Sequence, residues 1–157
     1  MTDRNAVHGS FSIERTYKAS QAQVYAAFAT KEGKEGWFVG GPGYSVVERD
    51  FDFRIGGTEH LIGRWENGTL SQFDARYFDI IPLERIVYAY EMRINGTKIS
   101  VSLATIEFKA AGAGSRVTIT EHGAFLDGYD DNGSREHGTG MLMERVRAYV
   151  DGETVAA

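Results

Sequence analysis

Among the carboxylates of this chain, Glu121 has the sequence surroundings best suited to chemistry. It continues the Val117, Ile119 side of an alternating segment, so a strand there would turn it inward. A carboxylate facing an apolar interior has its pKa raised and can act as a general acid or base. The competing role is a strand-end residue paired with Arg135 or Arg76, and structural ion pairs are common. Nucleophilic chemistry has less to draw on. The chain has no cysteine, which removes thiol catalysis, thiolate metal sites and disulfides together, and no Gly-x-Ser-x-Gly elbow occurs. His8, His60, His122 and His137 lack the i, i+4 spacing of a helical metal site, so no metal and no cofactor are expected. Asp127, Asp130, Asp131 and Asn132 are acidic enough for calcium but miss the EF-hand pattern. Tyr129 stands where a ligand should, and no glutamate occupies the twelfth position of the loop. Turn chemistry and support of a helix dipole account for them better.

The elements that must position these residues read as follows. Phe11, Ile13, Arg15 and Tyr17 alternate with polar residues and predict a first strand. Ser20 with Gln23 forms a capping box, Val24, Ala27 and Phe28 give the helix its apolar stripe, and Gly33 follows its end. A short helical turn then leads to Trp37 and Phe38. From Tyr44 to His122 the period becomes two, with strands expected at about 44–49, 58–65, 70–80, 85–93, 98–110 and 116–122. Asn67-Gly68 and Asn95-Gly96 both predict type I′ hairpin turns.

Two strands change phase. Phe73, Ala75 and Tyr77 give way to Phe78 and Ile80, and Ile99, Val101 and Leu103 give way to Ile106 and Phe108. One extra residue in a ladder is a bulge, and bulges bend sheets. A bent meander should curl around something, and the last helix supplies it. Ser134 can cap that helix, and Leu142, Val146, Tyr149 and Val150 form its apolar stripe. The same stripe passes through Gly138, which implies either close packing on the sheet or empty space above it. Tyr88 and Tyr90 share an inward face with Ile86 and Met92, whereas the strand 58–65 does not reveal whether its Leu61, Trp65 side or its His60, Ile62, Arg64 side is internal.

The order of strand, short helices, six-strand meander and terminal helix carries a resemblance. Phe11–Arg15, Ser20–Phe28, Trp37-Phe38, Asp52–Gly57 and Ile81–Val87 resemble the START-like (SRPBCC) superfamily, and within it the branch of the activator of the heat-shock-protein-90 ATPase. Thr120–Tyr129 followed by Arg135–Thr139 is similar to a bacterial single-domain subgroup of that branch. The resemblance implies an α+β helix-grip fold, with a curled antiparallel sheet of about seven strands wrapped on the long C-terminal helix and a cavity between them. It implies one domain over residues 11–152, with tails at 1–10 and 153–157. The eukaryotic activators carry a further N-terminal domain that engages the chaperone, and 157 residues leave no room for one.

Composition narrows the partners. The net charge is −5 and lysines and arginines are scattered, so no basic stripe exists for nucleic acid or an anionic membrane surface. No run approaches the roughly 20 apolar residues of a membrane span, and residues 1–10 have no signal-peptide core, so a cytoplasmic location is expected. Three classes of function stand open. A small apolar or aromatic molecule, lipid or polyketide-like, is the preferred partner. The alternatives are binding of a chaperone or other protein, and an enzyme that moves a proton on a hydrophobic substrate through Glu121. The expected ligand-binding set is Trp37, Phe38, Tyr88, Tyr90, Glu121, Phe125, Gly138, Leu142 and Met143.

Overall fold

Alternating apolar residues drive most of the chain into one antiparallel sheet, and the computed structural model describes residues 4–152 of it. The elements run β1 (Ala6–Tyr17), α1 (Gln21–Ala29), α2 (Lys31–Trp37), β2 (Tyr44–Phe51), β3 (Thr58–Trp65), β4 (Leu70–Ile81), β5 (Arg85–Ile94), β6 (Thr97–Ala111), β7 (Gly114–Leu126) and α3 (Asn132–Asp151). The sheet order is β1-β7-β6-β5-β4-β3-β2, a meander closed at one end by the first strand. This is the helix-grip arrangement that the sequence implies. The strand β1 starts at Ala6, so residues 6–10 pair with β7 rather than forming a tail. Residues 153–157 lie outside the described residues.

Local signals act largely as read. Ser20 accepts from the Gln23 amide, and the Gln23 side chain accepts from the Ser20 amide. Asn95 and Gly96 both take positive φ, as a type I′ turn requires. At Asn67-Gly68 only Gly68 does so; its amide donates to the Trp65 carbonyl, closing a longer loop than expected. Gly33 lies inside α2 rather than beyond α1, because Thr30 ends one helix and caps the next. Asp131, not Ser134, caps α3: its carboxylate accepts from the Ser134 amide and hydroxyl.

The bulges curl the sheet, though not all where the pattern put them. Phe78 falls at the register shift between β4 and β5 and is turned out to solvent. In β6 the phase holds unbroken from Ser100 to Phe108. The irregularity sits at Ile99, so Val101 and Leu103 face outward. A further shift between Val46 and Glu48 bends β2 against β3.

The helix α3 lies in this curl. Its buried stripe is Thr139, Met143 and Val146, one step round from the predicted one. Leu142 is half-buried, and Tyr149 is exposed at 44%, its ring lying against Gly36 of α2 where a Cβ would overlap it. Tyr17 donates to the Met143 carbonyl at 2.9 Å, Arg15 pairs with Glu144 at 2.8 Å, and Asp151 accepts from the Lys18 and Ala19 amides. These contacts seat the C-terminal half of the helix on β1 and α1. Met143→Ala should therefore cost about 2–5 kcal/mol in urea denaturation, and Leu142→Ala distinctly less. Equal losses for both would show that the helix does not seat on its Met143 side.

Candidate functional site

The N-terminal half of α3 crosses the sheet where β5, β6 and β7 turn Tyr88, Tyr90, Ser100 and Glu121 inward. It does not fill the space there. A Cβ built on Gly138 would meet nothing within 4 Å, so the empty-space alternative for this glycine holds. Beneath it lies a pocket of about 390 Å³. The helix contributes Gly138, Thr139, Leu142 and Met143, and the end of α2 contributes Lys34, Trp37 and Phe38. The sheet supplies mainly rings. Phe73 packs with Phe38, Tyr88 and Tyr90, with centroids 4.9, 6.4 and 5.1 Å apart. At the β3 side, Tyr44 covers Gly63 so closely that any side chain there would collide with its ring.

One wall is acidic. Glu121 is 3% exposed and accepts from the Tyr90 hydroxyl at 2.5 Å and, more weakly, from Thr139 at 3.4 Å. Burial raises its pKa, while the Tyr90 hydrogen bond, the charge of Arg135 and the Thr139 hydrogen bond act in the opposite sense. The expected ion pair to Arg135 or Arg76 does not form. Arg135 instead donates to Tyr90 at 3.1 Å, to Ser100 at 2.7 Å and to Asp130 at 2.9 Å. The tyrosine hydroxyl thus bridges the guanidinium and the carboxylate.

The opposite wall carries a buried ion pair. Lys34 reaches Glu59 at 3.2 Å, with side-chain exposures of 7% and 1%. The Lys34 ammonium lies 4.3 Å from the ring centre of Phe38 and 4.8 Å from that of Trp37. Tyr77 donates to the same Glu59 oxygen at 2.5 Å, and the other oxygen is buried without a partner among the described residues. Burial lowers the Lys34 pKa, against the pull of Glu59. Sequence reasoning named neither residue. Glu59 could have been found, since it shares the Leu61 side of β3, which proves to be the internal one. Lys34 gives no such signal, standing in the polar run Lys31–Gly36.

Of the nine residues expected to bind a ligand, the structure gathers eight around this pocket: Trp37, Phe38, Tyr88, Tyr90, Glu121, Gly138, Leu142 and Met143. Phe125 is the exception. It is buried outside the pocket lining, with the Arg135 guanidinium 5.4 Å above its ring. His60 lies on the outer face, where a hydrogen bond to Asp74 raises its pKa, and His122 also faces outward. The acidic run is structural: Asp127 accepts from Arg4 and the Asn5 amide, Asp130 pairs with Arg135, and Asp131 caps α3. Among the described residues no group of His, Asp or Glu could hold a metal, and no helix is long and apolar enough to cross a membrane.

Residues 18–151 match the family described as activator of Hsp90 ATPase homolog 1-like protein. The chain belongs to this family. It resembles an uncharacterised protein of Rhizobium leguminosarum, with 40% identity and a TM-score of 0.91 over 97% of this chain and 100% of the other. The Mll3558 protein of Rhizobium loti is 42% identical, with a TM-score of 0.85 over 92% and 99%. A Chromobacterium violaceum protein at 22% identity and a TM-score of 0.74 over 90% and 96% shares the fold. No curated protein matches the chain.

Two expectations follow from the charged walls. Lys34→Met strands Glu59 without a counter-charge and should cost about 3–5 kcal/mol in urea denaturation, with much of the loss recovered in the double variant with Glu59→Gln. A loss below about 1 kcal/mol would place the pair in the class of weak surface contacts. For Glu121 the sign is fixed by its raised pKa: the folded state holds the proton longer than the unfolded chain, so ionisation costs stability as pH rises. Glu121→Gln should then gain on the parent as pH climbs from about 4 through the raised value, a difference readable in denaturation midpoints. A pH-independent difference would mean that Glu121 titrates alike in both states.

Proposed function

We propose that this protein binds a small apolar or aromatic molecule in the pocket beneath Gly138. The observation that carries the reading is the open volume at that glycine, in a helix whose other end is tightly seated. An interior glycine costs a helix about 1 kcal/mol relative to alanine, and here no backbone or side chain approaches closely enough to require it. The pocket's size falls at the small end of the roughly 300–1,000 Å³ typical of ligand sites, and its wall of rings with a few polar groups is of the usual kind. Membership in the family is compatible with binding of ligands or proteins and names no ligand.

A second reading has one specific observation in its favour. Glu121 is a buried carboxyl with a raised pKa beside the pocket, oriented by Tyr90 and Thr139, and such a group can move a proton to or from a bound substrate. Turnover lost in Glu121→Gln with binding retained would move the protein from the first reading to this one.

The binding reading is tested at Gly138. The neutral dye N-phenylnaphthylamine should brighten on binding the parent. Gly138→Leu should keep the parent's stability within about 1 kcal/mol yet weaken the dye at least tenfold. Overpacking losses of about 1–3 kcal/mol, with no apolar compound bound even by the parent, would mean a solid core and no site.

A further inference from the structure

The charge balance of the pocket narrows what it can take, given the reading of this pocket as a ligand site. Its two cations are already answered: Lys34 by Glu59 at 3.2 Å, and Arg135 by Asp130 at 2.9 Å, with Tyr90 and Ser100 taking further guanidinium donors. Glu121 has no ion-pair partner among the described residues and receives only hydroxyl hydrogen bonds. The charged lining residues taken with their partners Glu59 and Asp130 therefore sum to zero when Glu121 is protonated and to one negative charge when it is not. An entering anion would lose its hydration, find no uncompensated cation and face Glu121. A cation would have to settle between Lys34 and Arg135, and burial already biases its one counter-charge toward the neutral acid.

Several polar groups of the lining make no side-chain hydrogen bond to a described residue, Tyr44, Trp65, Ser71 and Tyr88 among them, and of these Tyr88 is the one that feels both charged walls. Tyr88 makes no side-chain hydrogen bond to any described residue, although its neighbours Tyr77 and Tyr90 both donate to carboxylates. Its ring is packed by Phe73, Tyr77 and Tyr90, with centroids 6.4, 5.8 and 5.9 Å away, so the hydroxyl is held in place. It lies within electrostatic reach of both Glu121 and Glu59, between the two charged walls. Burial keeps it a neutral phenol, able to donate. A fixed donor that opens on the pocket and has no partner among the described residues can be met by an acceptor on whatever fills the space.

We propose that the pocket selects an uncharged apolar molecule carrying one oxygen that accepts a hydrogen bond from Tyr88, and that it rejects carboxylates of the same shape. Tyr88 is then the residue that sets specificity.

The test is a calorimetric comparison of four naphthalenes substituted at the same ring carbon: the methyl ketone, its isopropenyl isostere, the carboxylate and the methylammonium. The ketone should bind the parent about 3- to 10-fold more tightly than the isostere, the return on one neutral hydrogen bond. The carboxylate should bind at least tenfold more weakly than the ketone. In Tyr88→Phe the ketone should fall to the level of the isostere, while the isostere keeps its parent affinity, which also reports an intact pocket. A carboxylate or ammonium binding as well as the ketone would overturn the proposal, and so would a ketone preference that survives Tyr88→Phe. If that variant does not fold, the rank order in the parent decides alone. Binding of all four with equal affinity sinks the selectivity but leaves the ligand site standing. Binding of none sinks the site and the selectivity together.

Discussion

The hydroxyl of Tyr17 donates to the main-chain carbonyl of Met143, and the placement of α3 depends on that contact and the packing around it. A helix laid in a curled sheet could sink along its whole length. Here Met143 and Val146 do sink, with Arg15 gripping Glu144 and Asp151 capping the chain as it leaves β1. One turn further toward the N-terminus the helix offers Gly138 and Thr139 in place of large apolar residues, and the sheet answers with Ser100 and Glu121. Small and polar groups on both sides cannot close the gap as Met143 does. The pocket is thus a consequence of how one helix is seated, rather than a separate feature of the sheet.

That geometry imposes an electrostatic condition. Five ionisable side chains stand in or beside a space lined largely by rings: Lys34, Glu59, Glu121, Asp130 and Arg135. Isolated charges there would cost several kcal/mol each, so they occur as pairs or are drawn toward neutrality. Arg135 illustrates the economy of the arrangement. One guanidinium ties Asp130 at the start of α3 to Ser100 of β6 and Tyr90 of β5, and through the Tyr90 hydroxyl it reaches Glu121. The N-terminal half of α3 is held over the sheet by polar contacts where its C-terminal half is held by apolar ones.

What the sequence made legible follows from the range of the interaction. The capping box at Ser20, the type I′ turn at Asn95-Gly96 and the strands of the meander are local, and they stand as read. Three errors are failures to choose between adjacent options that obey the same local rule. Asp131 and Ser134 are both good caps, the alternation of β6 can break at Ile99 as well as after Leu103, and Tyr149 lies on nearly the same helical face as Val146. Aromatic candidates for the site were found because large rings on inward strand positions must meet somewhere. Phe125 met Arg135 instead, a cation that could not be placed until the cap of α3 was known. The pairing of Lys34 with Glu59 joins a seven-residue helix to a strand whose inner face was undetermined, and no spacing rule connects them.

The residues that break local rules converge. Gly138 weakens a helix interior, Glu121 places a carboxyl against rings, Lys34 and Glu59 bury opposite charges, and Tyr88 turns a hydroxyl into the pocket without a partner among the described residues. A sequence shaped only for stability would replace each of them, with alanine at the glycine and apolar side chains at the ion pair, at little cost or with gain. Elsewhere the fold keeps its rules: the cap of α1 is complete and the buried stripe of α3 is filled. Such departures, scattered over a surface, would carry no information. Five of them placed by α2, β3, β5, β7 and α3 in or beside the walls of one pocket are hard to account for by packing alone, and the ligand binding proposed for that pocket would account for them together.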